Sequence, residues 1–263
     1  MKYFDSHAHY YDDRFSEEYE GSVDDLIDAL LSNEVSHIIN VGTSPTTSRL
    51  AIEQAKKFTR MHTSIGIHPS DAQYLSVDID TAIADIESLI RNKENKCLAL
   101  GEIGLDYHYP DTDKELQMKY FDAQMTLAKE LDLPVVIHDR DSHEDVIDMI
   151  KSHKGVRGVL HSFSGSAEMA KEIVRLGFMV SFSGTVSFKN ARRPKEAAAV
   201  VPKDMILIET DAPYLAPHPK RGTLNHSGNL VYTNVALAEA IGISPEECAI
   251  ITDENARRFF SLK

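Results

Sequence analysis

Short runs of apolar and β-branched residues alternate along this chain with longer segments in which apolar residues recur at helical spacing. Eight of these runs are present, at positions 3–4, 37–41, 62–65, 98–100, 135–137, 158–160, 178–181 and 206–208. Most of them are apolar at consecutive positions, which is typical of strands that are buried on both faces of a parallel sheet. The pattern therefore predicts an α/β protein in which strands and helices alternate.

The segments between the runs carry the signals of helices. At their boundaries, Ser142 with Asp145 resembles a capping box, and Ser244 followed by Pro245 is typical of a helix N-terminus. Gly177 suits a helix C-terminus because glycine readily adopts a left-handed backbone. Apolar residues share one helical face within positions 23–30, 116–131 and 169–174.

Eight strand–helix units without an intervening linker predict one domain, residues 1–263, with the architecture of a (β/α)8 TIM barrel. An open, doubly wound sheet is the alternative architecture. That alternative is disfavoured because no glycine-rich fingerprint follows the first strand. In a barrel, the carboxyl ends of all eight strands converge on one mouth, where active sites lie.

The composition narrows the class of protein. The chain has 263 residues, 42% hydrophobic content and a formal net charge of −13, which disfavours a broad basic surface for nucleic acid. A nucleic-acid substrate stays open, because divalent ions in a site supply the positive charge that a phosphate needs. The chain shows neither a signal-peptide pattern nor an apolar stretch of membrane length, so we expect a cytoplasmic protein without membrane contact. We expect a monomer, because no obvious interaction element is left after the eight strand–helix units.

Residues that bind metals follow the predicted strands at their carboxyl ends. His7 and His9 follow the first strand, and alternate side chains of an extended segment point the same way. The others follow strands 3, 4, 5, 6 and 8, and they are His68, Glu102, His138, His161 and Asp211. Because these strand ends meet at the barrel mouth, the sequence predicts one metal centre there.

The ligand types indicate the kind of centre. Imidazole and carboxylate groups without thiolates suit Zn²⁺, Mn²⁺ or Mg²⁺. Even without His68, the predicted ligands exceed those that one tetrahedral ion with an open position uses, so we expect two divalent metal ions. A carboxylate has two oxygens, and Glu102, with ligands on both sides in strand order, is the natural bridge. Two such ions would hold a hydroxide and polarise a phosphoryl or acyl oxygen.

The motifs that carry these residues resemble those of a known family. They are FDSHAH, SIGIHP, GEIGLDY, VVIHDRD, VLHSFSGS and IETDAPYL, and they span the chain from residue 4 to about residue 215. In this ordered set the sequence resembles the TatD family of metal-dependent hydrolases, within the amidohydrolase-like superfamily of barrels. The resemblance implies that one ion is held by His7, His9 and Asp211, the other by His138 and His161, with Glu102 shared.

The resemblance also implies an activity. The TatD family is associated with DNA hydrolysis, as deoxyribonucleases and as 3′-to-5′ exonucleases, so a DNA phosphodiester is the implied substrate. Asp211 would be the general base, because a carboxylate within reach of the attacking water can accept its proton. The absence of a basic groove favours single strands or DNA ends over long duplex.

Further residues are assigned around the predicted centre. His68, Arg140 and Arg221 are predicted to contact phosphate, since guanidinium groups match phosphate oxygens. For Arg140 a structural ion pair with Asp139, Asp141 or another acidic residue is an equally open interpretation. Residues predicted to orient the ligands are Asp106, Glu209 and Asp5.

One departure from the family pattern affects the predicted substrate preference. The segment KRGTLNHSGNLVYT keeps Arg221, Gly222 and Asn225 but lacks the proline that family members usually have. Two other functions stay open: hydrolysis of amides or esters by a dinuclear centre, and a catalytically inactive barrel that binds metal or nucleic acid. Many amide-hydrolysing relatives use a carboxylated lysine as the bridge, so Glu102 favours the TatD-like interpretation.

Overall fold

The computed structural model describes residues 1–262 and contains the expected barrel. Eight parallel strands form one sheet in the order β1 to β8. All eight predicted strands are confirmed, with helices alternating between them as in a (β/α)8 barrel. The strands are Tyr3–Ala8 (β1), Val35–Val41 (β2), Met61–Ile65 (β3), Cys97–Asp106 (β4), Val135–Arg140 (β5), Gly158–Leu160 (β6), Met179–Phe182 (β7) and Ile206–Ile208 (β8).

The helical segments predicted from periodicity lie in α2, α6 and α8. None of the helices within residues 1–262 has the length and apolar character needed to span a membrane. The α-helices of the described chain are Asp13–Glu18 (α1), Val23–Asn33 (α2), Pro45–Lys56 (α3), Pro69–Ala72 (α4), Ile79–Arg91 (α5), Lys114–Leu131 (α6), His143–Ser152 (α7), Ala167–Arg175 (α8), Arg192–Ala198 (α9), Leu230–Ile241 (α10) and Pro245–Phe259 (α11).

Two of the three predicted helix boundaries are confirmed. Ser244 accepts a hydrogen bond from the Glu247 backbone at the start of α11, and Gly177 follows the end of α8 with a φ of 85°. The capping box at Ser142 is wrong, although α7 does begin after this residue. The Ser142 hydroxyl is directed instead to the Leu105 carbonyl, at 2.9 Å, and to Asp139 Oδ1, at 2.8 Å. Acceptors on the neighbouring strands thus compete successfully with the local cap.

The amino-terminal half of the barrel interior is apolar. Phe4, Ile39, Val136 and Leu207 are buried there, and side chains from the end of α11 close this end of the barrel. Phe4 stacks on Phe260 with a centroid distance of 5.6 Å. Because this end is filled, polar side chains can collect only at the carboxyl ends of the strands.

A backbone bridge joins the first and last strands at the carboxyl end of the barrel. Ala8 and Ala212 form an isolated parallel bridge, beyond the end of β8. The His9 backbone N–H donates to the Ala212 carbonyl at 2.6 Å, and the Asp211 N–H donates to the His7 carbonyl at 2.9 Å. His7 lies within β1, not after it as predicted, and His9 follows the strand. The backbone contacts bring both histidines beside Asp211.

Candidate metal centre

Three predicted ligands meet at this seam between β1 and β8. The Nε2 atoms of His7 and His9 lie 3.1 Å apart, as expected for alternate residues of an extended segment. Asp211 Oδ1 lies 3.8 Å from His7 Nε2 and 3.4 Å from His9 Nε2. The three side chains form a group that can hold a metal ion.

A second group forms on the far side of Glu102. His138 lies within β5 and His161 directly follows β6, and these two strands are neighbours in the sheet. The distance from His138 Nδ1 to His161 Nε2 is 3.2 Å. Glu102 Oε1 lies 2.9 Å from His138 Nδ1 and 2.8 Å from His161 Nε2. The structure therefore brings together all six predicted ligands.

Glu102 stands between the two groups. Its Oε1 faces His138 and His161, while its Oε2 lies 3.2 Å from His7 Nε2 and 3.8 Å from His9 Nε2. The sequence places Glu102 at the end of a strand, and this position is wrong, because β4 continues to Asp106. Residues 103–106 pair with residues 137–140 of β5 and so extend the strand past the ligand.

Outer hydrogen bonds of His9, His138 and His161 decide which nitrogen of these three imidazoles faces the centre. His9 Nδ1 donates to a backbone carbonyl of β2 at 2.7 Å. His161 Nδ1 donates to the buried Glu209 at 3.2 Å, and His138 Nε2 donates to Asp106 at 3.2 Å. In each neutral ring the other nitrogen is an unprotonated acceptor, and it points into the cluster. Asp106 and Glu209 thus have the orienting positions predicted for them.

This donor set fits divalent metal ions. His138 Nδ1 and His161 Nε2 both face the cluster and lie 3.2 Å apart, and either a proton or a metal cation relieves the repulsion between their lone pairs. Imidazole nitrogens and carboxylate oxygens without thiolates are ligands of zinc, manganese and similar ions. No such ion is part of the structure, and the number and identity of the metals stay a prediction.

The electrostatics of the cluster point the same way. Burial opposes ionisation of Glu102, but the imidazoles of His161, His68 and His7 hold its pKa well below the usual range. Burial likewise opposes a charge on His161, yet the carboxylates of Glu102 and Glu209 raise its pKa well above the usual value. The carboxylates therefore stabilise positive charge in the cluster, and this charge can be that of a proton on an imidazole or that of a bound cation.

His68 contacts the cluster through a ring nitrogen that carries a proton. It is the N-cap of α4, and its Nδ1 accepts a hydrogen bond from the Ser70 backbone at 3.1 Å. The neutral ring then carries its proton on Nε2, which lies 3.4 Å from Glu102 Oε1. His68, Glu102 and His138 are close enough to form a third ligand group, but a protonated nitrogen cannot ligate. The geometry therefore makes His68 a hydrogen-bond donor at the centre.

Arg140 lies outside the cluster, two residues beyond His138. Its guanidinium stands over the Tyr109 ring, 5.6 Å from the centroid. The neighbouring carboxylates have other partners, since His143 donates to Asp139 at 2.7 Å and His108 donates to Asp141 at 3.0 Å. Asp139 and Asp141 therefore pair with histidines, while the Arg140 guanidinium is stacked on Tyr109.

Arg221 is also separate from the cluster. It lies in the loop after β8, where its guanidinium stands 4.6 Å from the centroid of the Phe188 ring. Phe188 is partly exposed, whereas Phe163 and Phe182 are buried and pack edge to face.

A hydrogen-bond network behind the first ligand group was only partly foreseen. Asp5 is fully buried and accepts hydrogen bonds from Thr210 N, at 3.0 Å, and from the hydroxyls of Thr210 and Ser227, both at 2.6 Å. Ser227 also pairs with the Tyr10 hydroxyl at 2.7 Å. The network fixes the backbone beside Asp211. The sequence marks Asp5 through its motif, but it gives no signal for hydroxyl partners more than 200 positions away.

Comparisons with known proteins agree with this geometry. The family model described as TatD related DNase matches residues 4–261. The metal-dependent hydrolase YabD of Bacillus subtilis is 39% identical over 261 residues, covering 98% of this chain and 99% of the relative. The metal-dependent hydrolase TatD of Mycobacterium tuberculosis is 36% identical, with 92% of each chain covered.

A solved structure extends the agreement to the fold. The crystal structure of YjjV, a TatD homologue from Escherichia coli, superposes with a TM-score of 0.88 at 26% sequence identity, covering 99% of this chain and 98% of that one. The fold, the ligand cluster and the match over nearly the whole length confirm the resemblance predicted from the motifs. The chain belongs to the TatD related DNase family and is a metal-dependent hydrolase.

Proposed function

We propose that this hydrolase is a deoxyribonuclease that cleaves phosphodiester bonds of single-stranded DNA or DNA ends in the 3′-to-5′ direction, using two divalent metal ions. The observation that supports it is Glu102, which directs one oxygen to each of two ligand groups. Such a divided cluster suits an in-line displacement at phosphorus, in which attacking and leaving oxygens both need stabilisation. The DNase description of the matched family supports DNA as the substrate.

The residues of the chain divide the remaining work. Divalent ions, when bound, supply Lewis-acid chemistry that polarises the phosphoryl oxygen and acidifies water. Asp211 turns Oδ1 to His7 and His9, which leaves its second oxygen to accept the proton of the attacking water. Its carboxylate is partly exposed, at 15%, so water can reach it.

Two donors at the mouth are placed to hold the reacting phosphate. His68 directs its Nε2–H toward the centre, and the backbone contact of Nδ1 keeps the proton on that side. The Arg140 guanidinium stands over the Tyr109 ring, and its charge helps to lower the pKa of the nearby Asp106 carboxyl group. We assign its in-plane N–H groups to the phosphate, whose oxygens match a guanidinium. Both substrate-contact assignments thus stay part of the proposal.

The test is a substrate panel with matched variants. Metal-free protein is supplemented with Mg²⁺, Mn²⁺ or Zn²⁺ and given single- and double-stranded DNA labelled at either end, RNA, and simple esters and amides. We expect shortening of single-stranded DNA from its 3′ end, loss of this activity with chelator, and its loss in Glu102→Gln. Glu115→Gln changes an exposed glutamate on α6 and is expected to behave as the wild type.

The outcomes separate the possible functions. Turnover of esters or amides alone would replace the proposal with the dinuclear amide or ester hydrolase. Metal binding without turnover of any substrate would indicate an inactive metal-binding barrel. Hydrolysis of DNA by Glu102→Gln at the wild-type rate would contradict the role of the shared carboxylate.

A further inference from the structure

Two segments of this acidic protein carry positive charge without any acidic residue: the loop after β7 together with the start of α9, and the loop after β8. The chain as a whole has 41 acidic residues against 28 lysines and arginines. Positions 184–195 and 212–225, however, hold no aspartate or glutamate. The cations in these two segments are Lys189, Arg192, Arg193, Lys195, Lys220 and Arg221.

The two loops are locked together into one surface. A Cβ on Gly184 would lie 2.1 Å from the Leu215 carbonyl oxygen, so only glycine permits this approach of the backbones. The His218 N–H donates to Ser187 Oγ at 2.8 Å, and Ser187 Oγ in turn contacts the Gly184 carbonyl at 2.6 Å. The position of the charges is therefore set by backbone packing.

A cavity of about 400 Å³ opens on this surface, lined by Phe188, Lys189, Asn190, His218 and Arg221. The Arg221 guanidinium lies over the Phe188 ring, which restricts its rotamers while its in-plane N–H groups stay free. Within residues 1–262 neither Arg221 nor Lys189 makes an ion pair, whereas Arg192 pairs with Glu196. Two unneutralised cations thus face one cavity.

The cavity has the size and chemistry for a nucleotide unit. A phosphate needs the planar donors of a guanidinium and an ammonium charge, which Arg221 and Lys189 supply. An additional amide and imidazole, from Asn190 and His218, can hydrogen-bond a sugar or a base. The volume exceeds what a phosphate alone requires and lies within the range of small-ligand pockets.

We propose that this cavity is a subsite that holds one nucleotide unit of the substrate strand away from the bond being cleaved. The inference rests on the proposed nuclease function and gives it a new determinant. Binding energy realised there does not change the reacting phosphate, so it lowers KM and leaves kcat unchanged. The KM is then expected to depend on the length of the substrate strand rather than on the identity of its bases.

Binding is tested first with metal-free protein, in which no turnover occurs. Fluorescence anisotropy with a labelled single-stranded oligonucleotide is measured over a range of salt concentrations in the presence of chelator. We expect Arg221→Gln to weaken binding about tenfold and to lower the salt slope by about 0.7, the loss of one phosphate contact. Lys189→Gln is expected to act in the same direction.

Matched controls separate the cavity from net charge. Arg175→Gln at the end of α8 and Lys154→Gln in the turn that follows α7 remove the same charges from exposed positions outside the two loops. Both are expected to bind as the wild type, and thermal melts establish that all four variants are folded. Equal binding by Arg221→Gln and Arg175→Gln would overturn the inference.

Hydrolysis is then measured on single strands of about two to eight nucleotides. The wild type is expected to show a step to lower KM at the length that first reaches the cavity, and Arg221→Gln is expected to lack this step at unchanged kcat. Hydrolysis of DNA with no step in the wild type would overturn the subsite and spare the proposed function. Binding of the oligonucleotide that depends on Arg221, without hydrolysis of any nucleic acid, would support the subsite and overturn the proposed nuclease function.

Discussion

The buried carboxyl group of Asp5 gives a prediction of stability with a definite sign. Burial raises its pKa from 3.8 to about 6, against the opposing effect of its hydrogen bonds with Ser227 and Thr210. Between these two values the folded chain holds a proton that the unfolded chain has lost. The stabilising contribution is therefore complete below pH 3.8 and is lost as the pH rises through 6. A shift of about two pKa units corresponds to about 3 kcal/mol.

Asp5→Asn removes this titration and keeps the shape of the side chain. The amide oxygen can still accept from the Thr210 backbone, and the amide N–H groups can donate to the Thr210 and Ser227 hydroxyls, which can turn to accept. Relative to the wild type, the free energy of unfolding of the variant should rise by about 1.4 kcal/mol between pH 5 and pH 8. The rest of the 3 kcal/mol change falls at lower pH.

The assay is urea unfolding of metal-free wild type and variant, each in chelator at several pH values over this range. The difference between the two proteins cancels the titration of all other groups to first order. Asp111→Asn removes one exposed carboxylate and controls for net charge. A difference that stays flat, or that moves in favour of the wild type as the pH rises, would refute the argument that this buried site resists ionisation.

Three further predictions concern other parts of the molecule. A divalent ion at one hundred times its dissociation constant should stabilise the wild type by about 2.7 kcal/mol, seen as a raised melting temperature, and Glu102→Gln should lose most of this shift. Gly184→Ala should destabilise the protein by roughly 2 kcal/mol or more, because its Cβ would clash with a backbone carbonyl; unchanged urea unfolding would contradict this. Burial lowers the pKa of His37 and His62 to about 4, so protonation of the unfolded state should reduce stability as the pH falls below 6.5. His62→Gln should be less sensitive to acid than the wild type in a pH series of thermal melts.

The sequence predicts the strand positions and the ligands, but it does not predict the length of β4 or the contacts of Ser142. Strand positions were predictable because runs buried on both faces are apolar at consecutive positions, and strand ends then locate His138, His161 and Asp211. The length of β4 was not predictable, since residues 103–106 extend the strand through pairing with β5. The capping box at Ser142 failed for the same reason, because its competing acceptors come from other strands.

The supporting interactions were less predictable than the ligands. Metal-binding side chains are recognisable by type, whereas the orientation of His68 depends on a backbone contact that a sequence does not reveal. The cavity beside Arg221 required knowing that Gly184 brings two loops into contact. Metal-binding side chains are therefore recognisable from the sequence, whereas residues such as Gly184, whose role depends on their position in the fold, are not.

The seam between β1 and β8 has a consequence for how the protein assembles. His7 and His9 lie about 200 positions before Asp211, and backbone hydrogen bonds join the segment of the two histidines to that of Asp211. Contacts at such separation form late, because closing a long loop costs entropy before it gains any contact. The two ligand groups can therefore face each other only after the last strand has docked. In a barrel that has not yet closed, His7 and His9 are apart from Asp211, so we expect hydrolytic activity only once the fold is complete.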